Sequence, residues 1–569
     1  MKMTSKNTFW ISLFYLLIGI NTFSNAQNSP SQINIQTIYD GVEFDMPKVK
    51  ETSFPDFLLS IAEFGAVSDG LTKNTEAFAK TIEAVAKNGG GTVLVPRGIW
   101  LTGPIRFQSN INLHLEAGAL ILFSKDFEDY PLVETSFEGL NTTRCVSPIY
   151  ALEVENIAIT GSGTIDGNGD AWRPVKRSKM TDSQWKKLLA SGGFLNEKKD
   201  IWFPTEGSRT GYISSSSFNV PDLIDPSEFE KVRDFLRPVM VSIVSSKRIL
   251  LDGVTFQNSP AWNIHPLMSE DIIIRNLSVR NPWYSQNGDG LDLESCKNVL
   301  IYNNTFDVGD DAICFKSGKD QDGRDRNMPT ENVLVKNNIV YHGHGGFVIG
   351  SEMSGGVKNV HISQCTFMGT DVGLRFKSTR GRGGVVENIF ISDIDMLNIP
   401  TDAINFNLFY GGNSPVLEAE QSADREKRDE TLIPVTEKTP AFRNIFMKNI
   451  NVTGSGQPAN FQGLPEMNLQ NVRLENSFFE AKKGIIVVDT DGLELVNVKV
   501  ISPMDAALTL YNSKNIAVKG FLFAENGETP IRVLGEKSGN ITFQKADFKA
   551  AGSQFFHAPE LPKNAVKIE

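Results

Sequence analysis

The chain has 569 residues, a formal net charge of −11 and 22% charged residues. That acidity excludes nucleic acid as a natural partner, because binding phosphates needs clustered cations. It also means that any anionic ligand must be held by local positive charge against the global field.

The first residues carry an export pattern. Lys2 and Lys6 precede an apolar run from Phe9 to Ile20, and Ser24-Asn25-Ala26 supplies small residues at the cleavage positions. Residues 1–26 are therefore expected to be a signal peptide, cut before Gln27, with a periplasmic or extracellular destination. The alternative is a membrane anchor, but the run is short for the roughly 20 residues of a span. No later stretch is long and apolar enough to cross a bilayer, so no membrane span is expected after cleavage. Residues 27–60 read as an N-terminal extension. Export permits disulfides. The four cysteines, Cys145, Cys296, Cys314 and Cys365, match no zinc spacing and read mostly as small buried hydrophobes, with one bridge compatible with the sequence.

Thr75 to Lys87 is the clearest helix, stopped by Gly89-Gly90-Gly91 and placed to cap the open end of a repeating region. In that region one phrase recurs: a polar residue, usually Asn, then alternating apolar residues, then a second polar cluster. It begins at Asn156, Arg248, Asp271, Asn298, Asn332, Asn359, Asn388, Asn444, Asn471, Asn515 and Asn540. Most steps are about 21 to 34 residues, in the range of a solenoid coil. Alternation of β-branched and aromatic residues makes each phrase a short strand. Short turns between like-directed strands give an all-β fold, a right-handed parallel β-helix, over residues 61–569. The Asn residues are expected to form a ladder at a turn. Two stretches, about 167–238 and 411–439, break the repeat and read as inserted loops. The first carries Trp172, Trp185 and Trp202.

Each coil from Asp271 onward has a second strand. Five align as DGLDLES from Asp289, DAICFKS from Asp311, GGFVIGS from Gly345, VGLRFKS from Val372 and DAINFNL from Asp402. Their third and fifth positions are apolar throughout, so these face the core. The fourth and sixth face out and carry Asp292, Arg375 and Asn405, with Glu294, Lys316, Lys377 and Asn407. With coils about 4.8 Å apart, Asp289, Asp310, Asp311 and His344 gather within roughly 10 Å, and Arg375 and Lys377 lie a coil or two further.

A single Asp in such a turn is ordinarily structural, and a single surface Arg or Lys is ordinarily only solvated. Their coincidence in register points to chemistry. Packed carboxylates repel, so at least one should keep its proton near neutral pH. A protonated and an ionised carboxylate together can cleave a glycosidic bond. Arg375 and Lys377 suit a carboxylate on the sugar.

These residues also resemble a family. NGDGLD at Asn287, GDDAICFKSG at Gly309, GHGG at Gly343 and RFK at Arg375 look like the four motifs of glycoside hydrolase family 28, the polygalacturonases, in that family's order. The resemblance covers roughly Ile61 to Tyr410. It implies inverting hydrolysis of α-1,4-linked galacturonic acid, with no cofactor and no metal. Asp310 would be the general acid, Asp289 and Asp311 would activate water, and His344 would support the acid. Arg375, Lys377, Asn287 and Tyr410 would contact the substrate, an acidic polysaccharide or its oligosaccharides. The motif departs at Gly288, where the family usually has Thr. His265, one coil before Asp289, either lines the same groove or serves the packing. A monomer is expected.

Family members that attack chain ends tend to carry loops closing the groove, and the 167–238 insertion, with tryptophans able to stack on sugar, suits that. GSEMSGGVKN after His344 is also similar to exo-acting bacterial members. Exo action is therefore expected. Alternatives are an endo-polygalacturonase, a hydrolase of rhamnogalacturonan or decorated pectin, a pectate lyase, and a non-catalytic carbohydrate-binding β-helix.

Overall fold

The computed structural model describes residues 35–215, 219–411, 432–503, 506–523, 530–544 and 555–569. The expected signal peptide and most of the excursion expected at 411–439 lie outside the described residues. The chain divides into two compact units, residues 1–40 and 41–569. The described part of the first is a single 3-10 turn, Ile35–Ile38. No described helix is long and apolar enough to cross a membrane.

The second unit is a right-handed parallel β-helix. Three strand rows run its length, each strand pairing in parallel with its counterpart one coil away. In the row that carries the repeat, Lys247–Asp252 pairs with Glu270–Arg275, which pairs with Lys297–Tyr302, then Thr330–Lys336. The second strands align as the repeat requires. Leu291 lies opposite Ile313, Ile313 opposite Phe347, Phe347 opposite Leu374, and Leu374 opposite Ile404. All five are buried in one continuous apolar core. Coil-to-coil stacking of like side chains, such as Phe376 on Phe406 with ring centroids 4.2 Å apart, fills that core with offset aromatic and aliphatic layers.

The first residue of each phrase turns the chain. Asn298, Asn332, Asn359, Asn388, Asn444 and Asn471 all adopt left-handed backbone conformation, which Asn tolerates better than other non-glycine residues. Their side chains form the expected ladder, each amide donating to the residue one coil back: Asn332 to Asn298 at 3.3 Å, Asn359 to Asn332 at 3.1 Å, Asn471 to Asn444 at 2.8 Å. A ladder keeps turn polar groups satisfied without breaking the coil spacing.

The helix spans Thr75–Lys87 as expected, and Phe78, Ile82 and Val85 on its buried face join the core. A segment from Gly41 to Phe57 straps the phrase-bearing row. Glu43 pairs with His361 at 2.6 Å, and the Asn156 side chain both donates to and accepts from the Ser53 backbone. All four cysteines are buried and unbridged. Burial pushes the thiols of Cys145 and Cys296 up to about 12, so they behave as apolar groups.

Between Thr164–Asp166 and Val241–Val244 the chain leaves the coil. It builds three short helices and a small antiparallel sheet, Val175–Lys176, Phe194–Leu195 and Ile201–Phe203. A hairpin, Leu132–Phe137 with Leu140–Cys145, and a helix, Asp320–Arg326, flank it. These pieces sit over the outward face of the second strands and determine what solvent can reach there.

Candidate active site

Asp289 and Asp311 occupy the same position on consecutive coils, because Leu291 pairs with Ile313. Asp310 precedes Asp311, and its carboxylate accepts from the Asp311 backbone N–H at 3.0 Å. One oxygen from each of Asp289, Asp310 and Asp311 lies within 4.8 Å of the others. The three carboxylates thus converge at about the spacing of the coils, close enough for a cation to bridge. Positive charge already comes from the protein. Lys377 Nζ donates to Asp311 Oδ2 at 2.7 Å, and Arg375 Nη1 to Oδ1 at 3.4 Å. On the other side His344 Nδ1 lies 3.3 Å from Asp310 Oδ1.

These surroundings distribute the protons. Asp289 is 3% exposed, and its Oδ1 has no hydrogen-bond partner. Burial, then the charges of Asp292, Asp310 and Asp311, push its carboxyl well above the usual range. Asp292 is raised for the same first reason, although Lys316 opposes the rise. Burial would also raise Asp310, but the His344 hydrogen bond and charge, with Lys377 and Arg375, hold it below the usual range. Asp311 is likewise lowered against burial by Lys377 and Arg375. Burial and mutual repulsion thus favour the neutral form at Asp289 and Asp292, while the nearby cations favour the carboxylate at Asp310 and Asp311. His344 is raised, chiefly by its hydrogen bond to Asp310.

The outward row is only partly open. Arg375, Lys377, His344, Asp371, Thr401, Asp402, Asn405, Asn407 and Tyr410 line a cleft of about 340 Å³, a volume that suits a small ligand. Tyr410 lies under the cations, its ring centroid 5.0 Å from Lys377 Nζ and 5.6 Å from the Arg375 guanidinium. Toward the N-terminal coils the row is roofed. Asp292, Glu294 and Lys316 face away from the apolar core as alternation requires, yet all are buried. Lys316 pairs with Glu352 at 2.9 Å and approaches Asp292 at 3.6 Å. The roof comes from the hairpin and the 320–326 helix, which meet where Lys319 N–H donates to Gly139 O, and from the insertion.

This roof decides between the two readings of His265 and corrects two further expectations. His265 does not open on the groove. It is 1% exposed, packs edge-on against Trp262 and holds Glu294 at 2.9 Å. Asn287 presents its side-chain oxygen to protein rather than to the cleft, accepting from Arg237 at 3.0 Å and Asn219 at 3.1 Å. Trp185 and Trp202 are buried in a small core of the insertion, and Trp172 in one it shares with Tyr130, Cys145 and Val146, so none presents a stacking face. Gly288, where the motif departs from the family pattern, has a local reason. A Cβ there would stand 1.8 Å from Ser285 Oγ, so the Ser285 hydroxyl fills the space a larger residue would need.

Sequence reasoning missed the groups that the insertion delivers. Arg237, fully buried and pushed down to about 9 by desolvation, ties Asn219, Asn287 and the carbonyls of Pro260 and Gln286 together. Lys179 reaches His344 Nε2 at 2.8 Å. Neither residue belongs to the repeat, so periodicity could not place it.

Comparison with known proteins agrees with this geometry. The description Glycosyl hydrolases family 28 matches residues 231–460. A solved hyperthermoactive exopolygalacturonase from Thermotoga maritima is 34% identical, with 83% of this chain and 94% of that one covered at a TM-score of 0.58. A probable polygalacturonase from Vitis vinifera is 29% identical, and the match covers 59% of this chain and 60% of the Vitis protein. An exo-poly-alpha-D-galacturonosidase from Dickeya chrysanthemi is 27% identical over 74% of this chain and 67% of its own length. The chain thus spans about three-fifths to two-thirds of these two curated relatives.

Proposed function

The chain belongs to glycosyl hydrolases family 28, and from that premise we propose that it hydrolyses α-1,4-galacturonosidic bonds of pectin-type galacturonan, with inversion and from a chain end. The observation that carries the reading is the join between the carboxylate trio and the Arg375–Lys377 pair. In this reading a sugar carboxylate bound by those two cations would bring the neighbouring glycosidic oxygen toward Asp310.

In this reading Asp310 is the general acid, and Asp289 and Asp311 hold the attacking water. The lowered Asp310 carboxyl of the free site is reconciled by the substrate itself. Its carboxylate neutralises Arg375 and Lys377, two of the charges that depress Asp310, so binding raises the acid toward its working range. Inversion is favoured because Asp311 engages both oxygens with cations in the free site, which opposes its direct attack on carbon while leaving it able to orient a water.

The roofed N-terminal side supports action at a chain end, since a groove blocked beyond Asp289 leaves no path for a continuing polymer. The basic, apolar and small-residue succession at the N-terminus supports export to the periplasm or exterior, where such a polymer is met. Digestion of polygalacturonate followed over time tests the reading. Only monomer or dimer from the first sample is expected. An early ladder of oligomers overturns the exo assignment. A product absorbing in the near ultraviolet would mean a lyase, and no product at all would point to decorated pectin or to a non-catalytic protein.

A further inference from the structure

Lys179 lies in a 3-10 turn of the insertion, Arg177–Lys179, and its Nζ stands 2.8 Å from His344 Nε2. An ammonium offers only donors, so the ring nitrogen facing it must be an acceptor. An imidazolium would present N–H against N–H across that distance. The other ring nitrogen, Nδ1, lies 3.3 Å from Asp310 Oδ1, where a carboxylate needs a donor. Both contacts are satisfied by one species, the neutral imidazole protonated at Nδ1. We propose that Lys179 is a positioning residue that biases His344 toward this neutral tautomer against the acids around it, so that the insertion tunes the acidity of Asp310.

The consequence for chemistry comes from distance. An imidazolium beside Asp310 would put a full positive charge on the far side of one hydrogen bond and stabilise the carboxylate, which disables it as an acid. A neutral ring still orients the carboxyl, while the Lys179 charge is removed by the width of the ring. The charged groups facing His344 include Asp310, Asp311 and Asp371, the last 3.6 Å from Nε2, and across the cleft Arg375, Lys377 and Asp402. The acids favour the imidazolium, as the raised His344 shows, and Lys179 opposes it. Lys179 is half-buried on the insertion's surface, so its replacement leaves the coils intact.

The inference rests on the hydrolase reading, but one of its tests does not. In protein labelled with nitrogen-15 in its six histidines, with His344→Gln used for assignment, the His344 ring should show a protonated Nδ1 and a bare Nε2 at pH above its titration. In Lys179→Met the same ring should become doubly protonated up to a pH about one unit higher, as expected for loss of an adjacent charge. A protonated Nε2 in the neutral ring of the unaltered protein, or an unchanged titration in Lys179→Met, overturns the proposal whether or not galacturonan is cleaved. In kinetics, Lys179→Met should lower kcat by about 10- to 100-fold, part of what a positioned acid supplies. Its acidic pH limb should move upward, and Lys179→Arg should restore most of both. A loss of stability with the wild-type pH limb would mark Lys179 as merely structural. Absence of hydrolysis by the unaltered protein would sink the functional reading and leave the tautomer result standing.

Discussion

Lys377 donates to Asp311 at 2.7 Å from two coils away, since Ile313 pairs with Phe347 and Phe347 with Leu374. In the proposed mechanism the contact ties a substrate-facing cation to a water-holding carboxylate, so the two tasks would share one ion pair. Lys377→Met removes both. With Lys377 gone, Asp311 keeps only the longer Arg375 contact, and burial then raises it. We expect kcat/KM on galacturonan to fall by about 10²- to 10³-fold, as for truncating one partner of a buried charged pair. Steady-state kinetics on defined oligogalacturonates checks this. Unchanged kcat with raised KM would assign Lys377 to binding alone.

Asp289 is held in the fold at a cost. Burial, then its acidic neighbours, raises its carboxyl in the folded state. A carboxyl raised on folding opposes stability once pH exceeds its unfolded value of about 4. Asp289→Asn keeps the shape and removes the titration. The variant should melt a few degrees higher than the parent near neutral pH and no higher near pH 3, while losing at least about 10²-fold in rate. Thermal melts across pH decide it, and a lower melting temperature at neutral pH would contradict a carboxyl raised by burial.

Much of this arrangement is legible in the sequence, for a definite reason. Leu291, Ile313, Phe347, Leu374 and Ile404 recur because each coil buries the same face on the next, so alignment of the repeat alone puts Asp289 beside Asp311 and directs Arg375 outward. Alternation gives direction but not exposure. Asp292 and Lys316 point away from the core and are still buried, because a hairpin and an insertion distant in sequence lie over them. Trp172 and Trp202 carry no periodic signal that separates a stacking platform from a small local core. The reach of Lys179 to His344 depends on how an aperiodic segment folds back across 165 residues.

His265 and Glu294 make a separate prediction. They form a buried contact at 2.9 Å, with Arg326 on the other carboxylate oxygen. Burial would raise Glu294, but His265 and Arg326 hold it at about 2. The depressed carboxyl contributes stability that is present above its unfolded value of about 4.3 and is lost as pH falls toward about 2. His265→Ala should cost about 3 kcal/mol in denaturant unfolding at pH 7 and leave KM near its parent value. A raised KM with unchanged stability would restore His265 to the groove.

The stereochemistry of the product tests the mechanism most directly. Inversion of an α-linkage yields the β-anomer first, whereas passage through a covalent intermediate yields the α-anomer. Proton NMR of a rapid digest, read before the anomers equilibrate, should show β-galacturonate or a β reducing end forming ahead of α. The outcome turns on two restraints on Asp311, the contacts from Lys377 and Arg375 that oppose its attack on carbon. An α-first product would mean that one of these restraints is released when substrate binds, with Asp311 the nucleophile, because its cations are the ones the sugar carboxylate would draw away.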